Sequence, residues 1–168
     1  MTFNIIQQDI TTMKVDVIVN VANIKLKRGG GVCGAIFQAA GDTELQAACD
    51  KLAPIQTGES VMTVGFNLPA RNIIHAVGPI YQEQAPAESE RLLRATYLNA
   101  LELAADHSCQ SIAFPLISSG IYGYPKAAAL HIALEVIENY LKKQVMEVYL
   151  VLFDQESMQL SQKLSPGK

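Results

Sequence analysis

Hydrophobic positions along the chain alternate between short runs typical of β-strands and longer stretches with the helical spacing of about 3.6 residues. Six strands are predicted, over residues 3–8, 15–20, 60–66, 72–77, 111–116 and 147–153. Helices are predicted over residues 32–49 and 88–107, from residue 125 onward, and over 155–164. Strands that alternate with helices in this way predict an α/β layer sandwich with a mostly parallel sheet.

Turn-forming residues divide these elements. The helix over 32–49 is expected to break near Gly41, with Asp42 or Thr43 as the N-cap of its second part. Turn composition at residues 68–72 predicts that the third and fourth strands form a hairpin.

Three further segments are interpreted from composition. Residues 82–87 are polar and predict a surface loop, whereas Pro125 is expected in the first turn of the helix that follows it. The whole chain, 1–168, is expected to be a single domain, with a polar tail at 165–168 that frays.

Two glycine-bearing loops lie between a strand end and a helix start, where open α/β sheets bind ligands. Residues 29–34 formally match GxGxxG, and residues 118–125 form the second loop. A nicotinamide-binding fingerprint is rejected, because eight residues separate the strand from the first glycine and the expected acidic residue is missing. Two such loops could grip a diphosphate through backbone N–H groups. The alternatives are a glycine turn without a ligand and an ordinary strand-to-helix connection.

Composition narrows the function classes. Of 168 residues, 49% are hydrophobic and 17% charged, which indicates a globular core, and the net charge of -3 argues against a nucleic-acid partner. Cysteine and histidine spacings predict no disulfide framework and no structural zinc site, and we expect no metal or cofactor. There is no signal-peptide pattern and no apolar run of about 20 residues. We therefore expect a cytoplasmic protein without a membrane partner, and a monomer.

Five ordered blocks of sequence resemble the macro domain family. They are QDIT at 8–11, VDVIVNVAN at 15–23, GGGVCGAI at 29–36, LPA with IIHAVGP between 68 and 79, and FPLISSGIYGYP at 114–125. The subgroup that they resemble is the bacterial, MacroD-like ADP-ribosyl hydrolases, also called O-acetyl-ADP-ribose deacetylases. The resemblance implies a three-layer α/β/α fold, with a mixed, mostly parallel central sheet, that binds ADP-ribose in a surface cleft.

The same resemblance implies a set of binding residues. Asp9, beside Ile10, would accept a hydrogen bond from the adenine amine, and Phe153 would flank the adenine. Asn23 would hydrogen-bond the distal ribose. Backbone N–H groups of the two glycine loops would wrap the diphosphate, and they belong to Gly31, Val32, Cys33, Ser118, Ser119, Gly120, Ile121 and Tyr122.

Each of these residues also has a structural interpretation. Asp9 precedes two threonines and is a candidate for an Asx turn. Asn23 could satisfy loop backbone, Phe153 could belong to the core, and Tyr122 could pack within its loop. His75 stands among apolar residues and is predicted to be a hydrogen-bonded core histidine.

Cys33 departs from the family pattern, because many hydrolytic members carry aspartate there. A thiol is a poor general base for water. Three interpretations remain open: a diphosphate oxygen of the substrate takes the proton, Cys33 reacts as a nucleophile, or Cys33 is a small residue beside the ligand. The candidate catalytic residues are thus Asn23 and Cys33.

Three functions follow from these residues. The first is hydrolysis of ADP-ribosyl esters, either on acidic side chains of proteins or in O-acetyl-ADP-ribose, and the partner would be ADP-ribose or an ADP-ribosylated protein. The second is a reader that binds ADP-ribose without cleaving it. The third is RNA binding, for which the local support is Lys25, Lys27 and Arg28.

Overall fold

The computed structural model describes residues 3–164, which form one six-stranded sheet. The strands are β1 (Phe3–Gln7), β2 (Val17–Val21), β3 (Ser60–Val64), β4 (Asn72–Ala76), β5 (Ser111–Phe114) and β6 (Glu147–Leu152). Their order across the sheet is β1-β6-β5-β2-β4-β3. All neighbouring strands are parallel except β3, which runs antiparallel to β4. The mixed, mostly parallel sheet and the hairpin are confirmed.

Five α-helices cover the two faces of this sheet. They are α1 (Gly31–Ala40), α2 (Asp42–Asp50), α3 (Pro86–Asp106), α4 (Lys126–Leu141) and α5 (Gln155–Leu164), and short 3₁₀ turns occupy Ile10–Thr12 and Tyr81–Glu83. Helices α3, α4 and α5 pack on one face, and α1 and α2 on the other. The result is the expected three-layer α/β/α sandwich.

Strand β2 shows why the sheet needs helices on both sides. Val17 and Val19 belong to the core under α3 and α4, while Ile18 belongs to the core under α1 and α2. None of the three is exposed to solvent, as expected for a central parallel strand with apolar residues on both faces. The next residue on the face of Ile18 is Asn20, whose buried amide is polar.

Some element boundaries differ from the expectation, among them the start of α3 and the end of β5. Helix α3 begins at Pro86 rather than 88, because the fixed φ of proline suits the first helical position. The segment expected to be a loop therefore ends early and also contains part of the Tyr81–Glu83 turn. Strand β5 ends at Phe114 rather than 116, since Pro115 has no N–H for the ladder.

The break between α1 and α2 lies at Gly41, as predicted, but the predicted cap is wrong. Gly41 has a φ of 114° and is both the C-cap of α1 and the N-cap of α2. Asp42 is the first residue of α2, and its carboxylate pairs with Arg28 at 2.7 Å. Thr43 likewise lies inside the helix.

Two expectations concern the chain ends and the membrane. The polar tail at 165–168 lies outside the described residues. Within residues 3–164, no helix is both long and apolar enough to span a membrane.

Candidate functional site

The carboxyl ends of β2, β5 and β6 open into a cleft of about 460 Å³. This is the edge of a parallel sheet at which α/β folds bind ligands. All the site residues predicted from the sequence line this cleft, except Asp9 and Ile10.

The first wall of the cleft is the N-terminus of α1. The N-cap, Gly30, has no side chain to accept a hydrogen bond, and the amides of Gly31, Val32 and Cys33 donate to no acceptor among residues 3–164. A helix start with unpaired N–H groups attracts anions. Gly34 keeps the preceding loop close, since a Cβ there would lie 2.7 Å from the Gly29 carbonyl oxygen.

The second wall is the loop at residues 118–124. Its shape is set by the Tyr124 amide, which donates to the Ser118 carbonyl at 2.9 Å, and by the Gly123 amide, which donates to Gly120 at 3.0 Å. The four amides of residues 119–122 donate to no acceptor in the described part of the chain. Ile121 is 93% exposed at the tip. This loop therefore presents a second row of N–H donors to the same cleft.

Asn23 marks the end of the cleft next to β2. Its Nδ2 donates to the Lys27 carbonyl at 2.9 Å, and its Oδ1 accepts from the Lys27 amide at 3.1 Å. The Asn23 side chain thus satisfies loop backbone groups, as one interpretation of the sequence proposed. An amide group has a second N–H and a second lone pair. Asn23 lines the cleft and retains hydrogen-bonding capacity for a ligand hydroxyl.

Cys33 lies at the base of the first wall, with only 4% of its surface exposed. Its Sγ accepts a weak hydrogen bond from the Gly29 amide at 3.4 Å and lies 3.7 Å from Asn20 Nδ2. Buried cysteine of this kind behaves as a small hydrophobic residue. The geometry favours the interpretation of Cys33 as a small residue under the ligand.

A buried polar chain runs from this point into the core. His75 Nδ1 lies 3.1 Å from Asn20 Nδ2, and His75 Nε2 lies 3.0 Å from Thr63 Oγ1. Since an amide N–H can only donate, Nδ1 accepts and Nε2–H donates to Thr63. Burial lowers the pKa of His75 to about 4, so the imidazole is neutral at pH 7. The prediction of a hydrogen-bonded core histidine is confirmed.

The β6 end of the cleft carries an aromatic ring. Phe153 directly follows β6 and is 79% exposed, so the core interpretation of Phe153 is wrong. An exposed aromatic face in a cleft is suited to stacking against a nucleobase.

Three polar residues that line this end were not predicted from the sequence: Lys126, Asp154 and Ser157. Lys126 Nζ donates to Asp154 Oδ2 at 2.6 Å, and the Ser157 amide lies 3.3 Å from Asp154 Oδ1. The hydrogen bond from Lys126 is the main cause that lowers the pKa of Asp154 to about 2. Lys126 follows Pro125 and Asp154 follows Phe153, and these positions beside predicted site segments could have indicated both residues. Their pairing could not be predicted, because it joins residues far apart in sequence.

Asp9 and Ile10 are not among the residues that line the cleft. Asp9 Oδ1 accepts from the Thr11 amide at 2.9 Å and from the Thr11 hydroxyl at 2.7 Å, which caps the first 3₁₀ turn. Asp9 therefore forms the local turn that was considered from the sequence. Ile10 is buried in the core. The Gln7 side chain, at the end of β1, donates to the Phe153 carbonyl at 3.3 Å. Adenine recognition by Asp9 stays a prediction.

The lining of the cleft thus has three parts: an aromatic ring at the end of β6, two rows of N–H donors, and an amide side chain that follows β2. This set of groups fits a nucleobase, a diphosphate and a sugar. In the described ranges, no three His, Cys, Asp or Glu side chains are grouped so that they could hold a metal ion.

Comparison with known proteins places the chain in a family. The family model described as Macro domain matches residues 19–133, and the chain belongs to that family. An O-acetyl-ADP-ribose deacetylase of Escherichia fergusonii is 44% identical over 167 residues, covering 96% of this chain and 93% of the relative. The O-acetyl-ADP-ribose deacetylase of Enterobacter sp. (strain 638) is 48% identical over 162 residues, with 93% and 89% covered.

Solved structures agree with this assignment. The Oceanobacillus iheyensis macrodomain with ADP superposes with a TM-score of 0.90 at 44% identity, covering 94% of this chain and 87% of the other. The Trypanosoma brucei macrodomain in complex with ADP-ribose gives 0.89 at 33% identity, with 97% and 68% covered.

Proposed function

We propose that the chain binds ADP-ribose in this cleft and hydrolyses ADP-ribosyl esters. The substrates are O-acetyl-ADP-ribose or proteins mono-ADP-ribosylated on Glu or Asp. The observation that carries the proposal is that residues 31–33 and 119–122, whose amides have no acceptor among residues 3–164, line one cleft together with an exposed ring and an amide side chain. Relatives named O-acetyl-ADP-ribose deacetylase and macrodomains solved with ADP or ADP-ribose support it.

Backbone dipoles, rather than cationic side chains, would hold the diphosphate. Lys126 is the one Lys or Arg that lines the cleft within residues 3–164, and it already pairs with Asp154 and Glu156. The N-terminal end of α1 supplies partial positive charge without a cation.

Water activation in this site would depend on the substrate. Cys33 is buried under the first wall and is a weak base for water, so a diphosphate oxygen of the ligand would take the proton instead. The water oxygen then bonds to the ester carbonyl carbon, and the bond from that carbon to the ribose oxygen breaks. That proton passes to the ribose oxygen, and the carboxylic acid that forms releases the second water proton to solvent, giving ADP-ribose and a carboxylate product. Asn23 would orient the ribose for this attack.

Turnover tests this proposal. The chain is incubated with O-acetyl-ADP-ribose, and separately with a Glu- or Asp-linked ADP-ribosylated protein, and released ADP-ribose is followed by mass spectrometry. Asn23→Ala is expected to lower turnover by about 10-fold or more, as expected for loss of an orienting contact. Asn99→Ala is the matched control, because Asn99 bonds the Gly58 carbonyl away from the cleft. Equal rates in both variants would contradict the role of Asn23.

A second candidate is a reader that binds ADP-ribose without cleaving it, and the burial of Cys33 where many relatives carry aspartate favours it. ADP-ribose binding without product at high protein concentration supports the reader. Appearance of turnover in Cys33→Asp supports it further, and turnover by the unmodified chain excludes it.

Finer features remain part of the proposal. The natural partner would be an ADP-ribosylated protein or free ADP-ribose, the chain would act as a cytoplasmic monomer, and residues 1–168 would form one domain. The single sheet with cores on both faces supports the last point.

A further inference from the structure

The segment at residues 78–84 connects β4 to α3 and lies behind the cleft loop at 118–124. None of its residues lines the cleft. It nevertheless contacts that loop at both ends, and it is itself bonded to α3.

The first contact is at the base of the loop. Ser118 Oγ donates to the Pro79 carbonyl at 2.8 Å. Gly78 fits closely there, since a Cβ on it would collide with Ser118 Oγ and with the Ile117 side chain. Ser118 has a φ of 69°, a conformation that a non-glycine residue holds only when its surroundings enforce it.

The second contact is on the far side of the loop. The Tyr81 amide donates to the Tyr122 carbonyl at 2.9 Å. The Tyr81 ring packs edge-on against Tyr124, with centroids 4.8 Å apart and planes at 63°. Tyr124 is buried, and its amide closes the loop onto Ser118. Tyr81 therefore contacts the C-terminal part of the loop, at Tyr122 and Tyr124.

The segment is fixed in turn to the start of α3. Ser89, fully buried in α3, donates its hydroxyl to the Tyr81 carbonyl at 2.8 Å. Gln84 Nε2 donates to Ser89 Oγ at 2.5 Å. These bonds link the cleft loop to a 21-residue helix through Tyr81.

We propose that Tyr81 is a positioning residue for the cleft, which holds the N–H row of residues 119–122 in the shape that receives a diphosphate. Tyr81 touches no ligand and acts through Tyr122 and Tyr124. The choice of diphosphate ligand rests on the proposed function, whereas the effect of Tyr81 on loop order does not depend on any ligand.

Binding provides the first test. Isothermal titration with ADP-ribose compares Tyr81→Ala with Tyr81→Phe, which keeps the ring contact. We expect about 3- to 10-fold weaker binding in Tyr81→Ala, the range for loss of an aromatic pair, and a change below about 2-fold in Tyr81→Phe. Ser111→Ala is the stability control: it removes a hydroxyl that accepts from the Asp16 amide beside the start of β5, so it should lower Tm without changing Kd. Wild-type affinity in Tyr81→Ala would overturn the proposal.

Loop order in the ligand-free chain provides the second test. Hydrogen exchange is measured at the amides of Tyr81, Gly123 and Tyr124, which are all hydrogen-bonded. Exchange should accelerate in Tyr81→Ala but not in Ser111→Ala. If Tyr81→Ala does not fold, Ser89→Ala replaces it, because it removes the anchor and leaves the ring. Unchanged hydrogen exchange in the variant would overturn the proposal. If the wild-type protein does not bind ADP-ribose, only the proposed function is contradicted.

Discussion

The cleft is built from single residues whose backbone and burial are unusual. Gly31 and Ser118 both have positive φ angles, and each stands where its wall of the cleft begins. Asn20 and His75 are buried polar residues behind Cys33, and Asn20 Oδ1 has no hydrogen-bond partner among residues 3–164. Such features concentrate at functional sites, because a well-packed surrounding structure must hold them.

Gly120 gives a residue-level test of the cleft. A Cβ at this position meets no atom within 4 Å and requires no positive φ, so Gly120→Val should leave Tm nearly unchanged. The added side chain would occupy the face that the loop offers to the diphosphate. We expect ADP-ribose affinity to fall by about 10-fold or more, as when a contact group at a binding hot spot is displaced. Titration calorimetry checks this, and unchanged affinity would show that the ligand lies elsewhere.

His75 gives a residue-level test of the pH dependence of stability. Its pKa is about 4 in the folded chain and 6.5 when unfolded. Between these values the unfolded chain binds more protons than the folded chain. The contribution of His75 to the free energy of unfolding is therefore fully present above pH 6.5 and is lost as the pH falls toward 4. The contribution is at most about 1.4 kcal/mol per pH unit. Urea unfolding between pH 4.5 and 7 measures it.

The matched variants are His75→Gln and His131→Gln. The first should flatten the pH profile, while the second keeps His75 in place and should keep the fall in stability that His75 causes. A His75→Gln profile as steep as that of the unmodified chain would contradict a neutral buried histidine.

At the level of elements, sequence patterns predicted what local chemistry determines. All six strands were predicted within about two residues at each end, because β-branched runs and flanking turn residues define them. The caps were less predictable: the N-cap of α2 is Gly41, which has a positive φ, rather than Asp42 or Thr43. The Lys126–Asp154 pair and the Tyr81–Tyr124 contact join different elements, so no local pattern reveals them.

Gly41 gives a test at the level of elements. Its φ of 114° is accessible to glycine and costly for other residues, so Gly41→Ala should reduce the free energy of unfolding by about 1–3 kcal/mol. Gly120→Ala is the control, because that glycine is unstrained and meets open space. Denaturant unfolding of both variants measures the difference, and equal stabilities would mean that the helix break does not depend on glycine.

At the level of the whole molecule, the net charge of the chain does not indicate which ligand charge the cleft accepts. The chain has a net charge of -3, yet the cleft is suited to an anionic diphosphate because its donors are neutral amides. The fold brings the ends of three parallel strands together, and this places residues from distant parts of the sequence around one cleft.

Salt dependence follows from the neutral donors of the cleft. Since Lys126 is already paired with carboxylates, no unpaired cation lines the cleft within the part of the chain that is described. We expect the affinity for ADP-ribose to change by less than about threefold between 50 and 300 mM NaCl, because screening acts mainly on charged side chains. A loss of tenfold or more would indicate that a cation binds the diphosphate.

Amide NMR titration with ADP-ribose tests whether the two N–H rows bind the ligand. The N–H resonances of Gly31, Val32 and Cys33 and of residues 119–122 should shift together as the ligand saturates the protein. The resonance of the Asp16 amide, which is bonded to Ser111 away from the cleft, should not shift. Saturation by ADP-ribose with both N–H rows unshifted would show that these amides do not bind the diphosphate.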